Sequence, residues 1–150
     1  MTRGALLDAN VLVALFDEQD DASDALSADV RTALDDVLSD PEARLFITPL
    51  IRYEVLRGVP RADEERYSLV KSWLDGLTEL DVTRDASEHA AELFRLYVAE
   101  HRDDPNLNVD KRRFDTFHFA VARLRGLKLI SEDHHIEALT RLDARLQQSV

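Results

Sequence analysis

Ala5-Leu6-Leu7-Asp8-Ala9-Asn10-Val11-Leu12 is the stretch on which the reading of the fold turns. Its three leading apolar residues read as a short buried strand, Asp8 ends the run, and residues 10–16 carry helical patterning. The same order returns twice. Leu45-Phe46-Ile47 is a short apolar run followed by Thr48-Pro49, where Thr suits an N-cap and Pro the first helical position. Residues 127–130 form another such run, followed by a loop and short helix over 131–139. Strands that alternate with helices predict a mainly parallel sheet covered on both faces, a three-layer α/β/α sandwich.

Between these anchors the chain supplies helices. Residues 17–24 read as a solvated acidic turn. An amphipathic helix follows with Leu26, Val30, Leu34, Val37 and Leu38 on one face, stopped by Ser39-Asp40-Pro41. The helix after Thr48 runs to about Gly58. Another spans 63–74, and 77–82 reads as a strand with partial alternation. Ala86, Ala90, Leu93, Phe94 and Tyr97 mark a long amphipathic helix. A polar loop is expected over 102–113, then a helix over 115–125 with Phe117, Val121 and Leu124 inward. Residues 142–150 fit either an edge strand or a frayed helix.

At 150 residues, with 45% hydrophobic and 33% charged residues, the chain suits one domain over 1–150 with a substantial core. The start of the sequence has no apolar h-region, so a cytoplasmic protein is expected. The absence of cysteine excludes thiolate chemistry and Cys-ligated zinc. A formal net charge of -11 opposes broad electrostatic binding to nucleic acid. It leaves room for an enzyme that meets phosphate through bound cations and a few arginines.

The acids carry the chemistry. Asp8 follows the first strand, Asp133 follows the strand at 127–130, and Glu54 lies in the helix after 45–47. These points fall at the carboxyl edge of a parallel sheet, where ligands bind. Helical side chains lean toward the helix N-terminus, so Glu54 can reach back to that edge. Asp115, expected to open its helix, joins them if that end faces the same way. Taken singly, Asp8, Asp115 and Asp133 also fit helix N-caps and Glu54 an exposed helical residue. Their coincidence at one edge is harder to explain without a positive partner, because clustered carboxylates raise one another's pKa. Mg²⁺ or Mn²⁺ suits an all-oxygen ligand set.

Leu6-Leu7-Asp8-Ala9-Asn10-Val11-Leu12 resembles the opening motif of PIN domains. Thr48-Pro49-Leu50-Ile51-Arg52-Tyr53-Glu54 resembles their second motif, and Phe114-Asp115-Thr116-Phe117-His118-Phe119-Ala120-Val121-Ala122 their third. Leu129-Ile130-Ser131-Glu132-Asp133 is similar to the fourth. The resemblance spans residues 6–139, in a chain of the size of VapC-type toxins. It departs from the pattern at His134-His135-Ile136, where the family often carries a charged residue and then Phe. The loop at 102–113 also looks longer than usual.

The resemblance implies metal-dependent hydrolysis of RNA. Asp8, Glu54 and Asp115 would hold the principal Mg²⁺ (or Mn²⁺), with Asp133 supporting it or a second ion. Asn10, Thr48 and Ser131 would orient carboxylates, although ordinary capping explains Thr48 equally well. It also implies a homodimer and a cognate antitoxin protein that occupies the cleft. Arg52, Arg112 and Arg113 flank the acids and are candidate phosphate contacts, with surface ion pairs as the ordinary alternative. His118, His134 and His135 fit general bases or ligands less well than structural histidines. Trp73 and the Phe residues read as core rather than as base-stacking platforms. A haloacid-dehalogenase-type phosphotransferase would need a second acid where Asn10 stands. A catalytically silent binding module and a housekeeping RNA-processing nuclease remain as alternatives.

Overall fold

The first strand lies at the centre of the sheet. The computed structural model describes residues 3–18, 26–107 and 109–148. Strands β1 (Gly4–Leu7), β2 (Arg44–Ile47), β3 (Thr78–Glu79) and β4 (Lys128–Ile130) are all parallel, in the order β3-β2-β1-β4. Leu6 stands level with Phe46 on one side and Leu129 on the other. Ala5, Leu6 and Leu7 are fully buried, because helices cover both faces of the sheet. Gly4 begins β1 at φ 141°, and a Cβ there would lie 1.9 Å from the Arg44 carbonyl oxygen. Only glycine lets the two backbones come so close.

Seven helices are found among the described residues: α1 (Ala9–Glu18), α2 (Ala28–Leu38), α3 (Pro49–Arg57), α4 (Glu64–Asp75), α5 (Arg84–Glu100), α6 (Val109–Arg125) and α7 (His135–Gln148). Their starts follow local chemistry. Ser27, Thr48, Asp63 and Thr83 each accept a backbone N–H at the N-cap of α2, α3, α4 and α5. The expected α/β/α architecture is thus present. Its main core gathers β1, β2 and β4 with α1, α2, α3 and α4, and a smaller one joins Leu93, Tyr97, Phe119, Leu139 and Leu142.

Several expectations need correction. The strand expected over 77–82 has only two paired residues. Beyond them the Leu80 amide still donates to the Ile47 carbonyl at 2.8 Å, and Leu77, Leu80 and Val82 pack on the core. The loop expected over 102–113 ends early, since α6 begins at Val109 and Asp115 sits in its second turn. The basic run Lys111-Arg112-Arg113 resembles a loop in polarity, yet Lys and Arg are good helix formers. Leu124 points outward at 49% exposure, and Phe119, Ala120 and Ala122 fill the buried face instead. Leu38 is likewise exposed.

The short helix and the ambiguous tail are one continuous helix, α7. Its inward stripe, Leu139, Leu142 and Asp143, contains a buried acid that masks the pattern. Asp143 is accommodated by His89 Nε2 at 2.7 Å and Arg123 Nε at 2.9 Å. Asp17 is helical rather than part of a turn, and the rest of that expected turn falls mostly on residues 19–25, outside the described residues. Residues 149–150 also lie outside them.

Candidate metal centre

The carboxyl ends of β1 and β4 lie side by side, with the Asp8 amide donating to the Ile130 carbonyl at 3.0 Å. Asp8 therefore leaves the sheet beside the turn that carries Ser131, Glu132 and Asp133. Its backbone carbonyl starts α1 by accepting the amides of Val11 and Leu12. Its carboxylate is held at both oxygens. Oδ1 accepts the Ala9 amide at 2.7 Å, and Oδ2 accepts the Ser131 hydroxyl at 2.8 Å. The Ser131 oxygen in turn accepts the Asp133 amide at 3.0 Å and the Asn10 side-chain amide at 3.2 Å. Asn10 closes the loop by accepting the Glu132 amide at 3.1 Å. Asn10 and Ser131 thus lock the β4–α7 turn to Asp8.

Thr48 takes a different part. It is fully buried, and its hydroxyl accepts the Ile51 amide at 3.2 Å, the cap of α3. That cap starts the helix whose second turn carries Glu54. The Glu54 carboxylate meets His118 Nε2, which also lies 3.8 Å from Asp8 Oδ1. His118 stands one turn after Asp115 on α6 and is only 1% exposed. Its Nδ1 is buried with no hydrogen-bond partner. Burial opposes charging this ring, but the hydrogen bond to Glu54 and the charges of Asp8, Glu54 and Asp115 outweigh it, and its pKa is raised.

On the other side of the cluster, Arg112 is buried and its Nη1 donates to Asp115 Oδ2 at 3.0 Å and Asp133 Oδ2 at 3.1 Å. Its Nη2 touches His135 Nε2. Asp133 Oδ1 accepts the His135 amide at 3.0 Å, which caps α7. Burial works against the Asp133 carboxylate, yet this amide, Arg112 and the charge of His135 prevail, so its pKa is lowered. Asp115 behaves oppositely. Burial first, then the charges of Asp8 and Asp133, push it up to about 6 despite Arg112.

The four acids named from the sequence thus gather at one edge, with His118 and Arg112 between them. Single atoms of Asp8, Glu54 and His118 come within 4.8 Å of one another, a spacing that could hold a metal ion. The Asp8 and Glu54 carboxylates suit a hard divalent cation, while the His118 imidazole departs from the all-oxygen ligand set expected from the sequence. His118 directs Nε2 at Glu54, so it can orient that carboxylate as well as bind.

The arginines separate. Arg52 ion-pairs with Asp75 and Glu79, both at 2.8 Å, and its pKa is raised chiefly by the Glu79 hydrogen bond. Arg112 is turned inward to the acids, and Arg113 is exposed. The sequence ranks His118 as a structural histidine ahead of a ligand, and it does not indicate the inward role of Arg112. The available signal was spacing: residues 112, 115 and 118 recur every three positions and share a helix face.

The family described as "PIN domain" matches this chain over residues 5–142. Among solved structures the chain is similar to "Toxin-antitoxin complex from Klebsiella pneumoniae", at 21% identity and a TM-score of 0.53, covering 87% of each chain. At that identity the likeness shows the fold alone. Among curated proteins no match is found.

Proposed function

Because the chain belongs to the PIN-domain family, we propose that it is a metal-dependent ribonuclease, built as a single domain and acting as the toxin of a toxin–antitoxin pair. The observation that carries this reading is the gathering of Asp8, Glu54, Asp115 and Asp133 at one sheet edge, where Asp8, Glu54 and His118 present atoms within 4.8 Å of one another. Mg²⁺ or Mn²⁺ held there would supply a more acidic water and neutralise charge on a phosphodiester. Asp8, Glu54 and Asp115 are its proposed holders. Asn10 and Ser131 fix the direction of Asp8, and His118 that of Glu54. Arg112 holds Asp133 and Asp115 together, leaving Asp133 a supporting part.

The antitoxin part has its own grounds. It draws on the resemblance, on the Klebsiella complex, and on an apolar groove of about 340 Å³ beside Glu54. Val13, Phe16, Val55, Val59 and Val70 line that groove, which suits a protein segment with apolar anchors. The acidic edge next to it favours Arg or Lys on such a segment. A cytoplasmic homodimer completes the proposal, as the resemblance implies.

Purified protein incubated with mixed structured RNAs, with and without Mn²⁺, alongside Asp8→Asn, tests the enzyme. Cutting by the parent that stops in chelator and is lost by at least about 100-fold in the variant is expected. Cutting that continues unchanged in excess chelator would remove the metal-nuclease reading.

A further inference from the structure

Two residues that immediately precede catalytic candidates, Tyr53 before Glu54 and Phe114 before Asp115, come together where α3 meets α6. Their ring centroids are 6.3 Å apart with the planes tilted by 46°. The Arg57 guanidinium lies 5.3 Å from the Tyr53 ring centroid and 5.4 Å from that of Phe114. Tyr53 is 54% exposed, Arg57 is exposed and Phe114 is half-buried. This corrects the core expectation for Phe114, while Phe16, Phe46 and Phe119 are buried as expected.

What sets Arg57 apart is its contact with two rings at once. Acids outnumber Lys and Arg by 30 to 19. On the same helix Arg52 is committed to two carboxylates. Arg57 makes no ion pair with any described residue, and its charge rests on two aromatic faces instead. The result is a cationic, partly open aromatic surface at the flank of the acidic edge.

We propose that Tyr53, Arg57 and Phe114 form a stacking subsite for a base of single-stranded RNA next to the phosphate that is cut. The proposal rests on the ribonuclease reading and names how that site holds its substrate. Every base has a π-face, and an unstacked base packs on aromatic rings and on guanidinium planes. Stacking needs no net positive field, which a chain of charge -11 cannot provide. A base in a continuous duplex is already stacked on its neighbours, so the subsite selects single-stranded segments. Mere packing of α3 against α6 would also place a cation over rings, but would have no bearing on RNA.

The test uses a short oligouridylate carrying one 2-aminopurine, whose fluorescence is quenched by stacking. Binding is measured in an Asp8→Asn background to prevent turnover, and cleavage in the unsubstituted chain. The expected result is a quench on binding. Tyr53→Ala should abolish the quench and weaken binding by roughly 5- to 100-fold. Tyr53→Phe should keep both, since the ring and not the hydroxyl is used. Circular dichroism establishes that each variant is folded.

Equal binding and quenching by Tyr53→Ala, or an equal loss in Tyr53→Phe, overturns the subsite. If Mn²⁺-dependent cutting is then unaltered by Tyr53→Ala, the ribonuclease reading stands without it. A parent that neither binds nor cuts RNA removes both. Loss of a protein partner's binding in Tyr53→Ala, with RNA binding intact, reassigns the patch to protein docking and also overturns it.

Discussion

Burial and the charges of Asp8 and Asp133 push the Asp115 carboxyl up to about 6, and Arg112 offsets them only in part. An acid whose pKa is higher folded than unfolded favours the folded state most fully below its unfolded value. That contribution is lost as pH rises through about 6. Above that pH the cluster carries its full repulsion, and a bound divalent cation has most to relieve. The rise in melting temperature produced by Mn²⁺ should therefore be clearly larger near pH ~7.5 than near pH ~5. Equal rises at both would contradict the role given to Asp115. His118 makes a second expectation at this scale. Its Nε2 meets Glu54 from a fully buried position, so His118→Leu should weaken Mn²⁺ binding about 10- to 100-fold while the chain still folds. Isothermal titration alongside circular dichroism reads both. Asp8, Glu54 and Asp133 were legible residue by residue because each lies in or beside a recognisable strand–helix unit, whereas Asp115 joined them only on the condition that its helix faced the same edge. His118 and Arg112 were not, because their meaning depends on which helix face turns toward the sheet edge.

Among the elements, α3 shows how local capping serves the site at a distance. Thr48 caps it, Pro49 starts it, and Glu54 follows in the second turn. Thr48→Ala removes a buried acceptor and should cost about 1 kcal/mol, with Thr48→Ser recovering most of it. Chemical denaturation measures that loss. Mn²⁺ affinity should fall far less than in His118→Leu, because the cap frays the first turn and leaves the second in place. A comparable loss of metal affinity would instead make Thr48 part of the site. The start of α3 was readable because Thr-Pro is a purely local signal. The start of α6 was not. Asp115 resembles an N-cap in sequence, but the preceding Arg112 is buried against Asp115 and Asp133, and that tertiary pairing accompanies a helix running from Val109. Asp143 hid the length of α7 in the same way, since its partners stand on α5 and α6.

Over the whole molecule the charge of -11 acts on stability as well as on RNA. Like charges spread over a small surface repel, and salt screens them. Raising NaCl from about 50 to about 500 mM should raise the melting temperature of the metal-free protein. A fall would mean that attractive pairs such as Arg52 with Asp75 and Glu79 outweigh the general repulsion. The alternation of strands and helices, the parallel sheet and the places of Asp8, Glu54 and Asp133 at its carboxyl edge were determined by the sequence itself. Each rests on short-range patterning: apolar runs of strand length, helix caps, and an acid at the end of a strand. The tertiary structure alone decided that Arg112 enters the acidic cluster, that His118 faces Glu54, and that Arg57 rests on Tyr53 and Phe114. The physical reason is common to all three. A side chain's partner across a helix crossing is set by the rotation and packing of both helices, and the pattern along either one does not contain it.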